Sequence, residues 1–446
     1  MYRLRYLLCG FIFVLLESSP GSAEIRQHDG FSNNNMASDT VVANWLSELE
    51  GYYEVNKQQI FRIKKTENSL FAHSPVGEEY YPLNFVEKDL YEAKTGEKYT
   101  FNRSFDDRLP SLTWCWKDQC LEARKANPYD VEEVRITNGD VTLAGSYYKP
   151  NREGKHPGVV IINGGGPVDR NNLKLEAELF AAYGLAVLLY DKRGAGSSGG
   201  DFYGTSTWPT FEELLYDALG VLDFLINRPE VNEQQVGIWG TSQGGRIGIM
   251  AAAQKSEVAW LICNATPVTT LQEGQVYAYE HFSRQQNIQE KTIQKIVDIW
   301  GRYYDQLYQK KVKANLIQEI RDLQRSSDTR LPLPPATSNL NVGIPWENIK
   351  SSPVPFLKKL DIPVFMLWGD EDKRVPGRLS WKRADSVLSE RDMEVDHYFF
   401  PKANHSFYIE SEGRIAPGYF MKQLCWILER VDTGDIKKKY YFGNHD

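Results

Sequence analysis

Long apolar runs are scarce in this sequence. In 446 residues only Leu7–Leu16 approaches one, and about ten apolar residues fall well short of the roughly 20 that a membrane-spanning helix requires. Stable insertion into a membrane is therefore not expected. Basic residues do not outnumber acidic ones: 52 Lys and Arg stand against 59 Asp and Glu, for a net charge of −7. With no basic stripe either, nucleic acid is not the expected partner. Cysteines number only 5, and no second Cys or His pair accompanies Cys115 and Cys120 at zinc spacing, so no metal is expected. The glycine-rich Asn163-Gly164-Gly165-Gly166-Pro167 lacks the Gly-Lys-Ser/Thr ending of a phosphate loop. Internal repeats are missing too. What remains, 41% hydrophobic and 25% charged residues, is ordinary globular composition, and the length implies two domains or one large domain with insertions.

The N-terminus has the form of an export signal, expected to span residues 1–23. Arg3 and Arg5 precede the apolar run, and Gly21-Ser22-Ala23 suits cleavage before Glu24. Cys9 lies inside the apolar run, where lipoprotein processing is not expected. The expectation is a secreted or periplasmic protein. Cleavage leaves Cys115, Cys120, Cys263 and Cys425. In Trp114 to Cys120 a hairpin turning at Lys117-Asp118 sets Cys115 opposite Cys120, close to disulfide range, and an oxidising compartment favours the bridge. Cys263 and Cys425 sit in apolar runs and read as buried thiols.

Residues 24–127 are expected to form a small β-rich domain. Short strand candidates recur at Gly51–Val55, Gln59–Lys64, Ser69–His73, Leu90–Ala93, Lys98–Asn102, Leu112–Trp116 and Cys120–Arg124. This spacing implies an antiparallel barrel or sandwich. Through Gly51-Tyr52-Tyr53, Leu70-Phe71-Ala72 and Tyr99-Thr100-Phe101 it resembles the small β domain appended to some bacterial serine hydrolases. It carries no evident chemistry, and His73 reads as a surface residue.

The pattern changes from Tyr129. Val131–Ile136 and Val141–Tyr148 form a β pair around Asn138-Gly139-Asp140. Gly158–Ile162 is apolar on both faces, as in a central parallel strand, and the glycine-rich turn follows at once. Leu185–Tyr190 is a second buried strand, followed by Asp191-Lys192-Arg193-Gly194-Ala195-Gly196-Ser197-Ser198. Arg193 is expected to tie loops together. Thr210 and Glu213 make a capping box for a helix to about Ile226. Val236–Trp239 then leads into Gly240-Thr241-Ser242-Gln243-Gly244, with an apolar helix from Ile247. So tight a strand-to-helix turn strains its central residue and lifts the Ser242 hydroxyl to the positive end of the following helix.

The glycine-rich turn, the Asp-x-Arg-Gly-x-Gly-x-Ser run at 191–198 and the Gly-x-Ser-x-Gly elbow together resemble the α/β-hydrolase family, and most nearly its bacterial esterase and serine-aminopeptidase-like branch. The resemblance spans roughly 131–431. It implies a mostly parallel sheet flanked by helices, with a helical cap, inside a catalytic domain at 128–446. It also implies the order nucleophile, acid, histidine. Pro363–Trp368 reads as a buried strand followed by Gly369-Asp370-Glu371-Asp372, where the family's Gly-x-x-Asp places the acid at Asp372; Asp370 and Glu371 are the alternatives. His405 leaves the end of the last strand, His397–Phe400. Only His397 and His445 also follow the acid, at a strand start and in a polar tail. The expected catalytic residues are thus Ser242, Asp372 and His405. The oxyanion donors are the backbone N–H groups of Gln243 and, by the family pattern, Gly165. The branch often carries His where this chain has Asn163.

About a hundred residues separate the strand Val258–Asn264 from the acid strand, and the family's cap belongs there, at about 268–350. Gln272–Ser283, Glu290–Ser326 and the proline-rich Leu331–Pro335 make up most of it, and Ile293, Ile296, Val297 and Ile299-Trp300 recur at helical spacing with charged residues between. Tyr277, Tyr279, Phe282, Trp300, Tyr303, Tyr304 and Trp346 either line an acyl pocket or pack cap against core. The resulting expectation is a serine hydrolase of small-molecule carboxylic esters or other acyl substrates, needing no cofactor. A peptidase or thioesterase with the same residues, and a catalytically silent binding protein on the same fold, are the alternatives.

Overall fold

The structure is a computed structural model describing residues 46–432, apart from 57–58, 67–68, 74–79, 88, 103–110, 203–207, 341–342 and 392. The export signal at 1–23 and the tail holding His445 lie outside the described residues.

After a helical stretch at 46–49 come eight antiparallel strands: β1 (Gly51–Asn56), β2 (Gln59–Lys65), β3 (Leu70–His73), β4 (Tyr80–Glu87), β5 (Leu90–Ala93), β6 (Lys98–Asn102), β7 (Ser111–Trp116) and β8 (Gln119–Ala126). They close into a barrel, with β8 returning to β1. Alternation explains the closure. Tyr99 and Phe101 of β6 and Leu112 and Trp114 of β7 point inward with Tyr53, Phe61 and Leu70, while their neighbours face outward. Strand β4 is absent from the sequence expectations because Pro82, which has no N–H for the ladder, interrupts its pattern; it pairs opposite Phe71. His73 is a correction. It is 2% exposed although it sits opposite Arg62 on the outer face of the barrel wall, and burial, reinforced by Arg62, pushes its imidazole down to about 4. Cys115 and Cys120 pair across β7 and β8 and are joined by a disulfide. Of the free thiols Cys263 is buried and Cys425 only half-buried, against the expectation for the second.

The second sheet has eight strands: β9 (Tyr129–Asn138), β10 (Val141–Pro150), β11 (His156–Ile162), β12 (Ala186–Tyr190), β13 (Val231–Thr241), β14 (Val258–Asn264), β15 (Val364–Gly369) and β16 (Val395–Phe400). Their order is β16-β15-β14-β13-β11-β12-β10-β9. From β12 to β16 neighbours are parallel, while β10 runs antiparallel to both β12 and β9. This is the arrangement of an α/β-hydrolase. Every residue of β11, β12 and β15 is buried, because helices cover both faces. On one side pack α1 (Lys174–Ala182) and α10 (Tyr419–Leu428). On the other lie α2 (Phe211–Ile226), α3 (Gln243–Ala252) and α9 (Gly377–Leu388). The capping box of Thr210 and Glu213 starts α2. The Tyr52 and Tyr129 hydroxyls meet at 3.1 Å, and Arg62 pairs with Glu178, which joins the barrel to the sheet.

Between β14 and β15 the chain forms α4 (Leu271–Gln285), α5 (Glu290–Tyr308), α6 (Ala314–Arg325), the short α7 (Trp346–Ile349) and α8 (Val354–Leu357). The helical spacing at Ile293–Trp300 falls within α5, and the chain turns out of that helix after Tyr308, where Lys310 takes φ 55°. The aromatics of this segment chiefly pack on one another. Tyr279 stacks on Trp300 at 3.9 Å, and Tyr303 and Tyr304 surround the same indole. No described helix is long and apolar enough to cross a membrane.

Candidate active site

The site stands at the C-terminal ends of β11, β12, β13, β15 and β16, where the loops of a parallel sheet converge. At the end of β13, Ser242 adopts φ 54° and ψ −119°, a left-handed conformation costing of order 1–3 kcal/mol in a non-glycine residue. The surroundings hold it there. Its N–H donates to the Asn264 carbonyl at 2.7 Å, and its own carbonyl accepts from Gly245 and Arg246 in the first turn of α3. Gly244 explains the elbow's small residues: a Cβ there would stand 2.1 Å from the Ile162 carbonyl oxygen, so any side chain would drive the helix off β11.

The turn after β11 lies beside the serine. A Cβ on Gly164 would be 3.6 Å from that of Ser242, whereas Gly165 faces open space. Among the described residues the N–H groups of Gly165 and Gln243 have no hydrogen-bond partner. The Asn163 side chain turns away from the serine, donating to the Asp169 and Tyr190 carbonyls and accepting from Asn172. It braces the turn that bears these amides.

On the far side of the serine, the loops after β15 and β16 are bound to each other. The Asp370 N–H donates to Phe400 and that of Glu371 to Ala403, each at 2.9 Å. Gly369 permits the approach, since a Cβ would lie 2.2 Å from the Ala403 oxygen. Asp372 Oδ2 therefore reaches His405 Nδ1 at 2.8 Å. The other carboxylate oxygen, Oδ1, accepts the N–H groups of Arg374 and Val375 at 2.8 and 2.9 Å. Asp372 is buried and His405 half-buried. Of the alternatives in this loop, Asp370 pairs instead with Arg378. The structure joins acid and imidazole; among the described residues no hydrogen bond links them to the Ser242 hydroxyl, and such contacts commonly tighten only when substrate is bound.

Three further residues complete the surroundings, none of them singled out by motif. The Tyr277 hydroxyl donates to the Asp372 carbonyl at 2.9 Å. Burial first, then the Asp372 charge, raises its phenol above the usual range. A helical wheel offers the signal: Tyr277 and Tyr279 lie on opposite sides of α4, so both cannot join the aromatic core. Buried Arg246 donates to the carbonyls of Ser351 and Thr269, holding both ends of the cap segment against α3. Lys192, also buried, donates from Nζ to the Gly164 carbonyl at 2.7 Å and to Gln243 Oε1 at 2.6 Å. A lysine at the end of a buried parallel strand is its only sequence signal. Arg193 beside it clasps Asp217 and Glu213 of α2, tying the 191–199 turn to that helix. Among the described residues no group of three or more His, Cys, Asp or Glu is placed to hold a metal.

A family model described as X-Pro dipeptidyl-peptidase (S15 family) matches residues 124–405. Dipeptidyl peptidase 8 from Homo sapiens is 30% identical over 152 residues, 32% of this chain and 17% of that protein. The quorum-quenching protein AidA from Acinetobacter baumannii (strain MDR-ZJ06) is 29% identical over 130 residues, 29% of this chain and 42% of the relative. Thus the match spans less than half the length of either relative. Among solved structures, the acylaminoacyl peptidase of Pyrococcus horikoshii superposes with a TM-score of 0.45 at 18% identity, covering 82% of this chain and 55% of the other.

Proposed function

The chain belongs to the X-Pro dipeptidyl-peptidase (S15) family and is a serine hydrolase, and from that premise we propose that it cleaves carboxylic esters through an acyl-enzyme on Ser242. The observation that carries the reading is the 2.8 Å contact between His405 Nδ1 and Asp372 Oδ2 beside a serine held in a strained elbow. With Nδ1–H donating to Asp372, Nε2 keeps its lone pair for the Ser242 proton. The serine oxygen then attacks the acyl carbon. The developing oxyanion is received by the unengaged N–H groups of Gly165 and Gln243. His405 returns the proton to the leaving alcohol, and water releases the acid by the same steps.

An ester suits the charges nearby. Asp372 is engaged by His405, Asp370 by Arg378 and Glu273 by Arg383, which leaves none of these three for a substrate's terminal ammonium. The family match favours one second reading, cleavage of peptides after an X-Pro unit, by the same acyl transfer. The disulfide supports, as part of the proposal, work in an oxidising compartment outside the cytoplasm. A panel of short and long acyl esters, acyl thioesters and X-Pro amides decides the class. The expected result is turnover of an ester that Ser242→Ala abolishes; amides hydrolysed in preference to every ester would reject the ester reading.

A further inference from the structure

We propose that Lys192 is a positioning residue that joins and polarises the two halves of the oxyanion pocket. The proposal rests on the reading of Gly165 and Gln243 as oxyanion donors. A single ammonium, 3% exposed, bonds the Gly164 carbonyl at 2.7 Å and Gln243 Oε1 at 2.6 Å. These two acceptors sit on the two elements that flank Ser242. The Gly164 carbonyl and the Gly165 N–H belong to one peptide group. A cation on the oxygen end of that group draws electron density from the nitrogen end and makes the N–H a stronger donor. Its bond to Gln243 fixes the first residue of α3, whose N–H is the second donor. The lysine thus strengthens one donor, holds the other in register, and adds a positive charge close to where negative charge develops.

The surroundings of this ammonium are short of negative charge. Asp217 of α2 favours its charged form, but Arg193 already clasps that carboxylate. Asp191, next to Lys192 in its own loop, is paired with Arg170. The glycine turn and α3 offer a neutral carbonyl and a neutral amide, and Phe202 sets its ring 5.3 Å away. Burial accordingly pulls the ammonium down to about 7, against the pull of Asp217. Catalysis that uses the charged form weakens as pH rises through that value. Stability moves the other way. The unfolded chain keeps this proton up to the ordinary lysine range while the folded one has released it, so the Lys192 contribution to stability rises with pH between about 7 and 9. Alkaline loss of activity from this source is not unfolding.

The test is kcat against pH for the wild type, Lys192→Met and Gln243→Met, with melting temperatures measured at the same pH values and an ester as substrate. The wild type should lose kcat on the alkaline side from about pH 7 while its melting temperature gains on that of Lys192→Met. Removal of one oxyanion donor costs about 10²–10³-fold; weakening rather than removing one should lower kcat of Lys192→Met about tenfold or more, with KM nearly unchanged and the alkaline limb gone. Gln243→Met takes one acceptor from the ammonium, so its alkaline limb should begin at lower pH. A wild-type profile flat from pH 7 to 9 overturns the proposal whether or not the variants fold. So does an alkaline limb that persists in folded Lys192→Met, or one that Gln243→Met leaves unmoved. Activity surviving in Ser242→Ala would instead remove the acyl-enzyme reading, a distinct failure.

Discussion

Replacing Asp372 by Asn exchanges one carboxylate oxygen for an amide NH₂ and should remove nearly all turnover. In the structure Oδ1 accepts the Arg374 and Val375 N–H groups while Oδ2 faces His405 Nδ1. An asparagine has one acceptor and one donor to fill the two places. If its oxygen stays with the two backbone amides, its NH₂ faces Nδ1. The imidazole must then accept at Nδ1 and carry its proton on Nε2, where it cannot receive one from Ser242. Turning the amide over restores the productive tautomer but aims NH₂ at two N–H donors, that of Val375 buried and that of Arg374 half-buried, at up to about 1–3 kcal/mol for each group left unpaired. The unproductive arrangement is therefore favoured, and the negative charge that steadies the imidazolium is gone in both. The corresponding change in a well-studied triad lowers kcat about 10⁴-fold, equivalent to about 5.5 kcal/mol of barrier. Asp370→Asn is the comparison. That carboxylate pairs with Arg378, whose side chain is 71% exposed, and such surface pairs are worth at most about 1 kcal/mol; its kcat should change less than about threefold. The assay is kcat and KM for one ester substrate, with thermal melts to verify folding. Asp372→Asn within tenfold of wild type, or Asp370→Asn equally damaged while folded, would refute the reasoning.

Gly244→Ala sets a methyl 2.1 Å from a backbone oxygen of β11, and should cost about 3 kcal/mol or more by overpacking; chemical denaturation measures it, with wild-type stability as the contrary result. Replacing Cys115 and Cys120 by Ser removes a cross-link over a separation of 5 residues, worth about 2 kcal/mol by loop entropy, and should lower barrel stability while sparing activity per folded molecule. Glu273 is held down to about 2, first by its bond to Arg383. Because its folded value lies below the unfolded one, the stabilisation is present above about 4.5 and fades as pH falls toward 2. Denaturation of Arg383→Ala and wild type should therefore converge in acid; a difference undiminished at pH 2 to 3 contradicts this.

Elements whose apolar pattern is set by burial on both faces were legible from sequence: β11, β12 and β15 stand where continuous apolar runs placed them. Tight-turn chemistry was equally readable, since a close backbone approach leaves glycine at 244 and 369. Strand β4 was hidden by Pro82, and the burial of His73 by the weak signal of a single polar residue on the outer face of a barrel strand. The boundary between α5 and α6 has no sequence marker, because Lys310 adopts a left-handed conformation without a glycine. At the site, the Gly-x-x-Asp spacing pointed to Asp372, and the structure hydrogen-bonds that residue to His405; its catalytic role remains proposed. Tyr277 entered only as one of the cap aromatics, and Lys192 and Arg246 drew no reading of their own, because each acts on backbone carbonyls brought close only by folding. No sequence spacing encodes a contact between Lys192 and Gly164, which come from different loops.

The central claim is that Ser242 is the atom acylated by substrate. Reaction with a fluorophosphonate, followed by intact-mass measurement and peptide mapping, tests it most directly. The account predicts one adduct per chain, on the peptide containing Ser242, absent from Ser242→Ala and much slowed in Asp372→Asn. An adduct on another residue, or labelling of Ser242→Ala at the wild-type rate, would contradict it.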